Sequence, residues 1–553
     1  MFHTTKCFLV VWKWLIRMHT PDSNSHNMPD YLDDLRPDPD KGREIDYKSP
    51  GERATGITAK TNAFRWVGFS IGLVIALALW FLLPESVGHN ARLTAAIAGL
   101  MATWWMTEAI PIPATALVPL VAFPLFAQPI AADGAEPKPL TFSQVGASYG
   151  NATIFLFMGG FFIALAMQRW NLHRRIALGV LRIMPNSPGA MIAGFMIATA
   201  FLSMWVSNTA TAVMMLPIGM SVLTLVNEAT GKSSTTSVTD IVQSKFGTAL
   251  MLGIAYAASL GSLGTLIGTP PNTFLAGYMA ETQGVSISFV GWMVVGVPIA
   301  AVFLVITWFL LVKVLFKPEI SEIPGGNELI RKELDRLGPI SSGEIRVLCV
   351  FILTALAWIT IPLIFEEPPI DDAGIAMASG LLLFLLPAGA ERGVKLLDWQ
   401  SAKELPWDVL LLFGGGLALS SMFEKSGLTK VIGDMAAGMA GIPLVLVIAV
   451  LAGAILFLTE LTSNTATGAT FIPVAAGIAM GMDVNVLLFA APVALAATCA
   501  FMLPVATPPN AVAYGSGYVT IGQMVRGGIW LNLIGIVLIT LASMTLLTWV
   551  FGL

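Results

Sequence analysis

Ser203-Met204-Trp205-Val206-Ser207-Asn208-Thr209-Ala210-Thr211 recurs, changed but recognisable, as Thr459-Glu460-Leu461-Thr462-Ser463-Asn464-Thr465-Ala466-Thr467. The shared core is Ser-Asn-Thr, at 207–209 and 463–465. Each copy sits between two apolar runs, and a proline follows at the same distance, Pro217 and Pro473. Small polar clusters in apolar surroundings are expensive if they face lipid, so they are expected to line a site enclosed by protein.

Working outward, the flanking segments at 187–228 and 441–480 are each too long for one unkinked span and are interrupted near the middle by the tripeptide. Each reads as two short helices meeting at a tip, a re-entrant hairpin. Downstream of each lies a second signature. The span at 247–282 contains Gly268-Thr269-Pro270-Pro271-Asn272, and that at 485–516 contains Ala506-Thr507-Pro508-Pro509-Asn510. A Pro-Pro step cannot continue a regular helix, so both spans are expected to be discontinuous.

The composition agrees with a membrane protein. Of the 553 residues 56% are hydrophobic and 12% charged, with a mean hydropathy of +0.77, against roughly 25% charged in soluble domains. A net charge of −4 argues against a nucleic-acid partner. Cys7, Cys349 and Cys499 have no metal-binding spacing. Residues 1–62 are mostly polar. Their short apolar patch at 8–16 has no small-residue cleavage site after it, so the segment is expected to be a disordered cytoplasmic tail.

Runs of about 20 apolar residues, the length a helix needs to cross a bilayer, give about eleven crossings beside the two hairpins, an all-α polytopic fold. All of the 30 Lys and Arg except Arg92, Lys138, Lys425 and Lys430 then fall on one side. The positive-inside rule places the N-terminus in the cytoplasm and the C-terminus outside. Phe157-Met158-Gly159-Gly160, Leu172 and the first tripeptide match Phe413-Gly414-Gly415-Gly416, Leu428 and the second at one constant offset. With the first crossing set aside, each half holds an odd number of crossings, so the halves are inverted. Inverted repeats with broken helices meeting at the midplane are the architecture of secondary transporters.

The chemistry at the tips is set by what is missing. Between positions 183 and 221 there is no Asp, Glu, Lys, Arg or His, so neither a salt bridge to an anion nor a proton carrier is available there. Hydroxyl and carbonyl oxygens suit a hard cation, while helix N-termini and backbone N–H groups suit an anion. A bound cation would supply the positive charge that no side chain provides, and that is a physical reason for coupled binding. Glu460, whose counterpart is Met204, either neutralises a cation or organises the tip by hydrogen bonds. Glu108 reads as a solvated charge at a helix end. Segments 171–184 and 425–440 read as interfacial amphipathic helices, with Arg169, Arg174 and Arg175 on the inner leaflet. Gly159-Gly160 and Gly414-Gly415-Gly416 are expected to serve close helix packing. Gly146-Ala147-Ser148-Tyr149-Gly150 matches a hydrolase pattern that requires a strand-to-helix elbow. Here it opens a membrane crossing and is a coincidence. No enzyme signature remains, which leaves a channel or a membrane-embedded enzyme as weaker rivals to a transporter.

Paired Ser-Asn-Thr tips, each followed by a Thr-Pro-Pro-Asn break, resemble the divalent-anion/sodium symporter family, which includes bacterial C4-dicarboxylate transporters and animal sodium-coupled citrate and dicarboxylate carriers. The resemblance covers about residues 63–553. It implies a homodimer in a bacterial inner membrane, working by an elevator motion. A scaffold at 63–128, 291–387 and 528–551 would hold a transport domain at 146–282 and 406–516. The family's first sodium site would map onto Ser203, Ser207, Asn208 and the backbone at Gly268, and the second onto Thr459, Ser463, Asn464 and the backbone at Ala506. Substrate carboxylates would meet Ser207, Asn208, Thr209, Ser463, Asn464 and Thr465, with Thr269, Pro270, Thr507 and Pro508 beside them. The function implied is sodium-coupled import of succinate, fumarate and malate with two or more sodium ions. Sulfate, citrate or sodium-independent exchange are the alternatives. An exchanger needs a fixed positive charge near the substrate, and neither tip has Lys, Arg or His beside it.

Overall fold

The computed structural model describes residues 59–130, 136–229, 244–323, 325–365, 368–439 and 441–553. The tail expected at 1–62 lies almost wholly outside them. Among the described residues the fold is entirely helical, with two isolated β-bridges. Seven helices among the described residues are long and apolar enough to cross a membrane, and there are shorter apolar helices such as Asp372–Leu385. One of the seven, Asn208–Asn227, is an arm of the first hairpin. Of the about eleven expected crossings, the two broken spans appear as pairs of short helices, two others as the shorter Ile112–Phe126 and Asp372–Leu385, and one as the less apolar His89–Thr107.

The two segments that carry the tripeptides are each a pair of helices. The first consists of Pro188–Ser203 and Asn208–Ala229, the second of Leu444–Thr459 and Asn464–Gly481, each with its junction at the tripeptide. The broken helices are Lys245–Ser262 with Pro270–Thr282, and Leu487–Thr498 with Pro508–Gly515. The prolines of each Thr-Pro-Pro-Asn motif open the second half. A missing N–H is harmless there, because the first N–H groups of a helix have no partner within it. The two systems interlock. Pro270–Thr282 packs on the second hairpin, and Pro508–Gly515 packs on Lys245–Ser262 and Asn208–Ala229.

Burial sorts the helices by role. Every residue of Leu487–Thr498 is buried, as is every residue from Phe246 to Ser262. A helix apolar on all sides belongs in such an interior. Thr61–Leu82, which is also strongly apolar, is only 11% buried within the chain. Since lipid tails are as apolar as leucine, contacts between helices depend on close packing at small residues. A Cβ on Gly261 would lie 2.1 Å from the Ala200 carbonyl oxygen, and one on Gly415 would lie 2.2 Å from that of Ala116. Gly159 rests in the same way against the backbone of Ala376, so the packing role expected of these glycines holds.

Two short helices, Leu172–Arg182 and Leu428–Ala436, lead into the hairpins. Each is preceded by a left-handed residue, Asn171 (φ 54°) and Gly427 (φ 79°), at the offset that relates the tripeptides. The arginines before and within the first helix depart from expectation. Arg169 pairs with Asp398 at 2.7 Å, Arg174 with Glu333 at 2.8 Å and Arg175 with Glu344 at 2.5 Å. Their charges are spent on the protein's own carboxylates rather than offered to a lipid surface. Glu108 is an exposed helix cap in the left-handed region, as read. Ser148 lies in a short 3-10 turn and donates to Glu281, so no hydrolase elbow exists.

Candidate functional site

The first tip is built from Ser203, the last residue of its helix, and Asn208, the first of the next. Ser203 Oγ lies 2.7 Å from Asn208 Oδ1 and 2.6 Å from the Ala258 carbonyl oxygen. Both neighbours are acceptors, and a hydroxyl has one proton. One of the two close oxygen–oxygen contacts is therefore made without a proton. The Asn208 amide orientation follows from its other neighbour. Ser262 gives its proton to the Ser259 carbonyl at 2.7 Å and so receives the Asn208 NH2 at 3.3 Å, which turns Oδ1 toward Ser203.

The second tip repeats the arrangement with different side chains. Thr459 Oγ1 lies 2.7 Å from Asn464 Oδ1 and 2.9 Å from the Ala497 carbonyl oxygen. Here too, three oxygens share one proton. Ser203 and Thr459 are fully buried, while Asn208 and Asn464 are partly accessible. Clusters with surplus lone pairs suit a hard cation held by oxygen.

The remaining expected residues divide by position. Ser207 Oγ accepts the Ala210 N–H and caps its helix, whereas Ser463 makes no side-chain cap. Ser207, Ser463 and Thr465 are partly accessible, and Thr209 and Pro508 are exposed. Thr269 and Thr507 are buried, and Pro270 is intermediate. Gly268 is required as a glycine, since a Cβ there would lie 2.3 Å from the Ser262 carbonyl oxygen. Its counterpart Ala506 is buried. The half-sites are brought together where Pro271 approaches Gly468 and where the hydroxyls of Thr269 and Thr498 lie 3.3 Å apart.

Two asparagines do work that sequence reasoning did not assign, and Glu460 takes the second of its two expected readings, organising the tip by hydrogen bonds. Asn272 gives its amide to the carbonyls of Ser262, Leu263 and Thr265, and Asn510 gives its own to those of Ala500 and Leu503. They hold the helix breaks open by satisfying the freed carbonyls. The signal was present, as each is the fourth residue of its motif. Glu460 satisfies the opposite groups. Its buried carboxylate accepts the N–H groups of Phe501, Met502 and Leu503, and the side-chain amide of Asn532. The first break folds as turns, with Leu263 and Gly264 bonded to Leu260 and Gly261, and needs no such acceptor. That difference accounts for Met204 standing where the second tip has Glu460.

Together these features define a polytopic membrane protein with two oxygen clusters of the same hydrogen-bond pattern at its paired tripeptides. The chain belongs to the sodium:sulfate symporter family, whose transmembrane region matches residues 63–553. It is 42% identical over 497 residues to a sodium-dependent dicarboxylate transporter, SdcS, of Staphylococcus saprophyticus, covering 89% of this chain and 93% of that one. Identity and coverage are the same for SdcS of Staphylococcus aureus. Its fold is like that of the YdaH transporter of Alcanivorax borkumensis, with a TM-score of 0.52 at 14% identity, over 84% of this chain and 99% of that one.

Proposed function

We propose that the protein is a sodium-coupled importer of C4-dicarboxylates such as succinate, fumarate and malate. The observation that carries this reading is the pair of proton-poor oxygen clusters at Ser203/Asn208/Ala258 and Thr459/Asn464/Ala497. Sodium ions are the cargo that would occupy them, one at each tip, with the backbone at Gly268 and Ala506 completing the shells. No Lys, Arg or His lies between positions 183 and 221, so the ions bring the charge that a dianion needs. The partly accessible edge of Ser207, Asn208, Thr209, Ser463, Asn464 and Thr465, with Thr269, Pro270, Thr507 and Pro508, would receive the carboxylates. Two ions neutralise a dicarboxylate, and any further ion makes transport electrogenic. The names of the SdcS relatives favour dicarboxylates over the sulfate in the family's name.

The protein would work as a homodimer in a bacterial plasma membrane, N-terminus inside and C-terminus outside, the interlocked hairpins and broken helices moving as one body. The packing of Ala152–Arg169 on Asp372–Leu385 and of Ile521–Ala542 on Leu444–Thr459 favours counting the first with the scaffold and the second with the moving body, a change from the bounds that the resemblance implies. The test is radiolabelled succinate uptake into proteoliposomes under inward sodium, potassium or proton gradients, with fumarate, malate, citrate and sulfate as competitors. Uptake that needs sodium and yields to C4-dicarboxylates is expected. Sodium-independent uptake that requires succinate inside would make the protein an exchanger.

A further inference from the structure

Thr269 and Thr498 come from different halves of the chain, and both are buried. Among the described residues, the contact between their hydroxyls at 3.3 Å is the only side-chain hydrogen bond between the two broken helices. A proton count gives its direction. Thr498 Oγ1 donates to the Ala494 carbonyl at 3.2 Å, one turn back in its own helix. Its single proton is used, so its oxygen accepts and Thr269 donates. The counterpart of Thr269 behaves differently. Thr507 accepts the Asn510 N–H and caps its own helix, whereas Thr269 makes no cap. One copy of the motif turns its hydroxyl inward, and the other reaches across.

The positions on either side give the bond its meaning. Thr269 follows Gly268, at the break beside the first tip. Thr498 follows Ala497, whose carbonyl lies 2.9 Å from Thr459 in the second oxygen cluster. We propose that Thr498 is a positioning residue that couples the two half-sites, so that cation occupancy of one raises the affinity of the other. The proposal rests on the sodium-symport reading above. At 3.3 Å the bond is slack beside the about 2.7–2.8 Å usual for hydroxyl pairs. A bond with room to shorten can pass a displacement of one break to the other. A cation that draws in either backbone shortens the bond, and by reciprocity the shortened bond favours the second cation.

The test is Thr498→Val, which keeps the shape and removes the hydroxyl, made in the full chain and reconstituted in proteoliposomes. Succinate uptake is measured against sodium concentration, and sodium-dependent thermal stabilisation of the purified protein is measured alongside. The Hill coefficient for sodium is expected to fall toward one, with about fivefold more sodium needed for half-maximal rate. The maximal rate at saturating sodium is expected to stay at the wild-type value. Thr498→Ser, which keeps the hydroxyl, should restore the wild-type sodium curve. Thr498→Ala carries the same expectation as the valine variant if that one does not fold. A wild-type sodium curve in Thr498→Val, or equal impairment in Thr498→Ser, would overturn the proposal. Wild-type uptake indifferent to sodium would instead overturn the symport reading, and the coupling with it.

Discussion

The side-chain amide of Asn532 donates to the buried carboxylate of Glu460 at 2.8 Å, tying the long C-terminal helix Ile521–Ala542 to the tip of the second hairpin. The same carboxylate receives three successive backbone N–H groups of the second helix break, so one side chain fastens three elements together. In Glu460→Gln an NH2 group faces at least one of those donors, and a buried N–H is left without an acceptor. A loss of about 1–3 kcal/mol is expected, seen as a lower thermal midpoint of the purified protein together with weaker sodium dependence of uptake. Asn532→Leu removes only one bond to the charge and is expected to cost about 1.5–3 kcal/mol. An unchanged midpoint in both variants would contradict this role.

The oxygen clusters make a second prediction. Ser203→Ala and Thr459→Val each delete the central oxygen of one cluster without touching the accessible edge. Each is expected to raise the sodium concentration for half-maximal uptake about tenfold, equivalent to roughly 1.4 kcal/mol. Expression and the maximal rate at high sodium should be little changed. A wild-type sodium curve in either variant would move that ion elsewhere.

The amides of Asn272 and Asn510 are expected to matter for a different reason. Removing either in Asn272→Ala or Asn510→Ala leaves buried carbonyls of the break unsatisfied, at about 1–3 kcal/mol. Thermal midpoints should fall in both variants, since each amide has two N–H donors and both asparagines give them to carbonyls of their break. Equal stability to wild type would mean that the breaks hold themselves.

Much of this architecture was legible in the sequence, because the features that set it are local. A tripeptide between apolar runs marks a hairpin tip, and Thr-Pro-Pro-Asn marks a break, since proline permits few alternatives. Ser203 and Thr459 entered only through the family resemblance; spacing alone singled out the tripeptides that follow them. What could not be read was anything that depends on elements far apart in the chain. Glu460 meets Asn532, Thr269 meets Thr498, and Arg169, Arg174 and Arg175 find carboxylates on three distant segments. No spacing rule encodes such partners. The arginines were misread as lipid-facing for that reason.

Close packing at glycine can be tested at Gly261, where an added Cβ would lie 2.1 Å from the Ala200 carbonyl oxygen. Backbone cannot yield as a flexible side chain does, so Gly261→Ala must separate the first hairpin from its broken helix. Overpacking of this kind costs about 1–3 kcal/mol, and Ala200, three residues before Ser203, transmits the shift to the first oxygen cluster. Weaker sodium dependence with a lowered thermal midpoint is expected. By contrast Gly179, with open space around it, should accept alanine without loss.

The pair Arg169–Asp398 gives a prediction in pH. The Asp398 carboxylate is held below its ordinary range, first by the backbone N–H of Ser401 and also by the Arg169 guanidinium at 2.7 Å. A carboxylate lowered in the folded state stabilises the protein above its unfolded pKa, near 3.9, and loses that contribution as pH falls through the lowered folded value. Both groups are partly exposed, so solvent screening holds the pair itself to less than about 1 kcal/mol. Wild type is therefore expected to have a slightly higher thermal midpoint than Asp398→Asn at neutral pH. The gap should close as the pH drops below about 4. A gap that persists in acid would show that the charge of Asp398 is not its source.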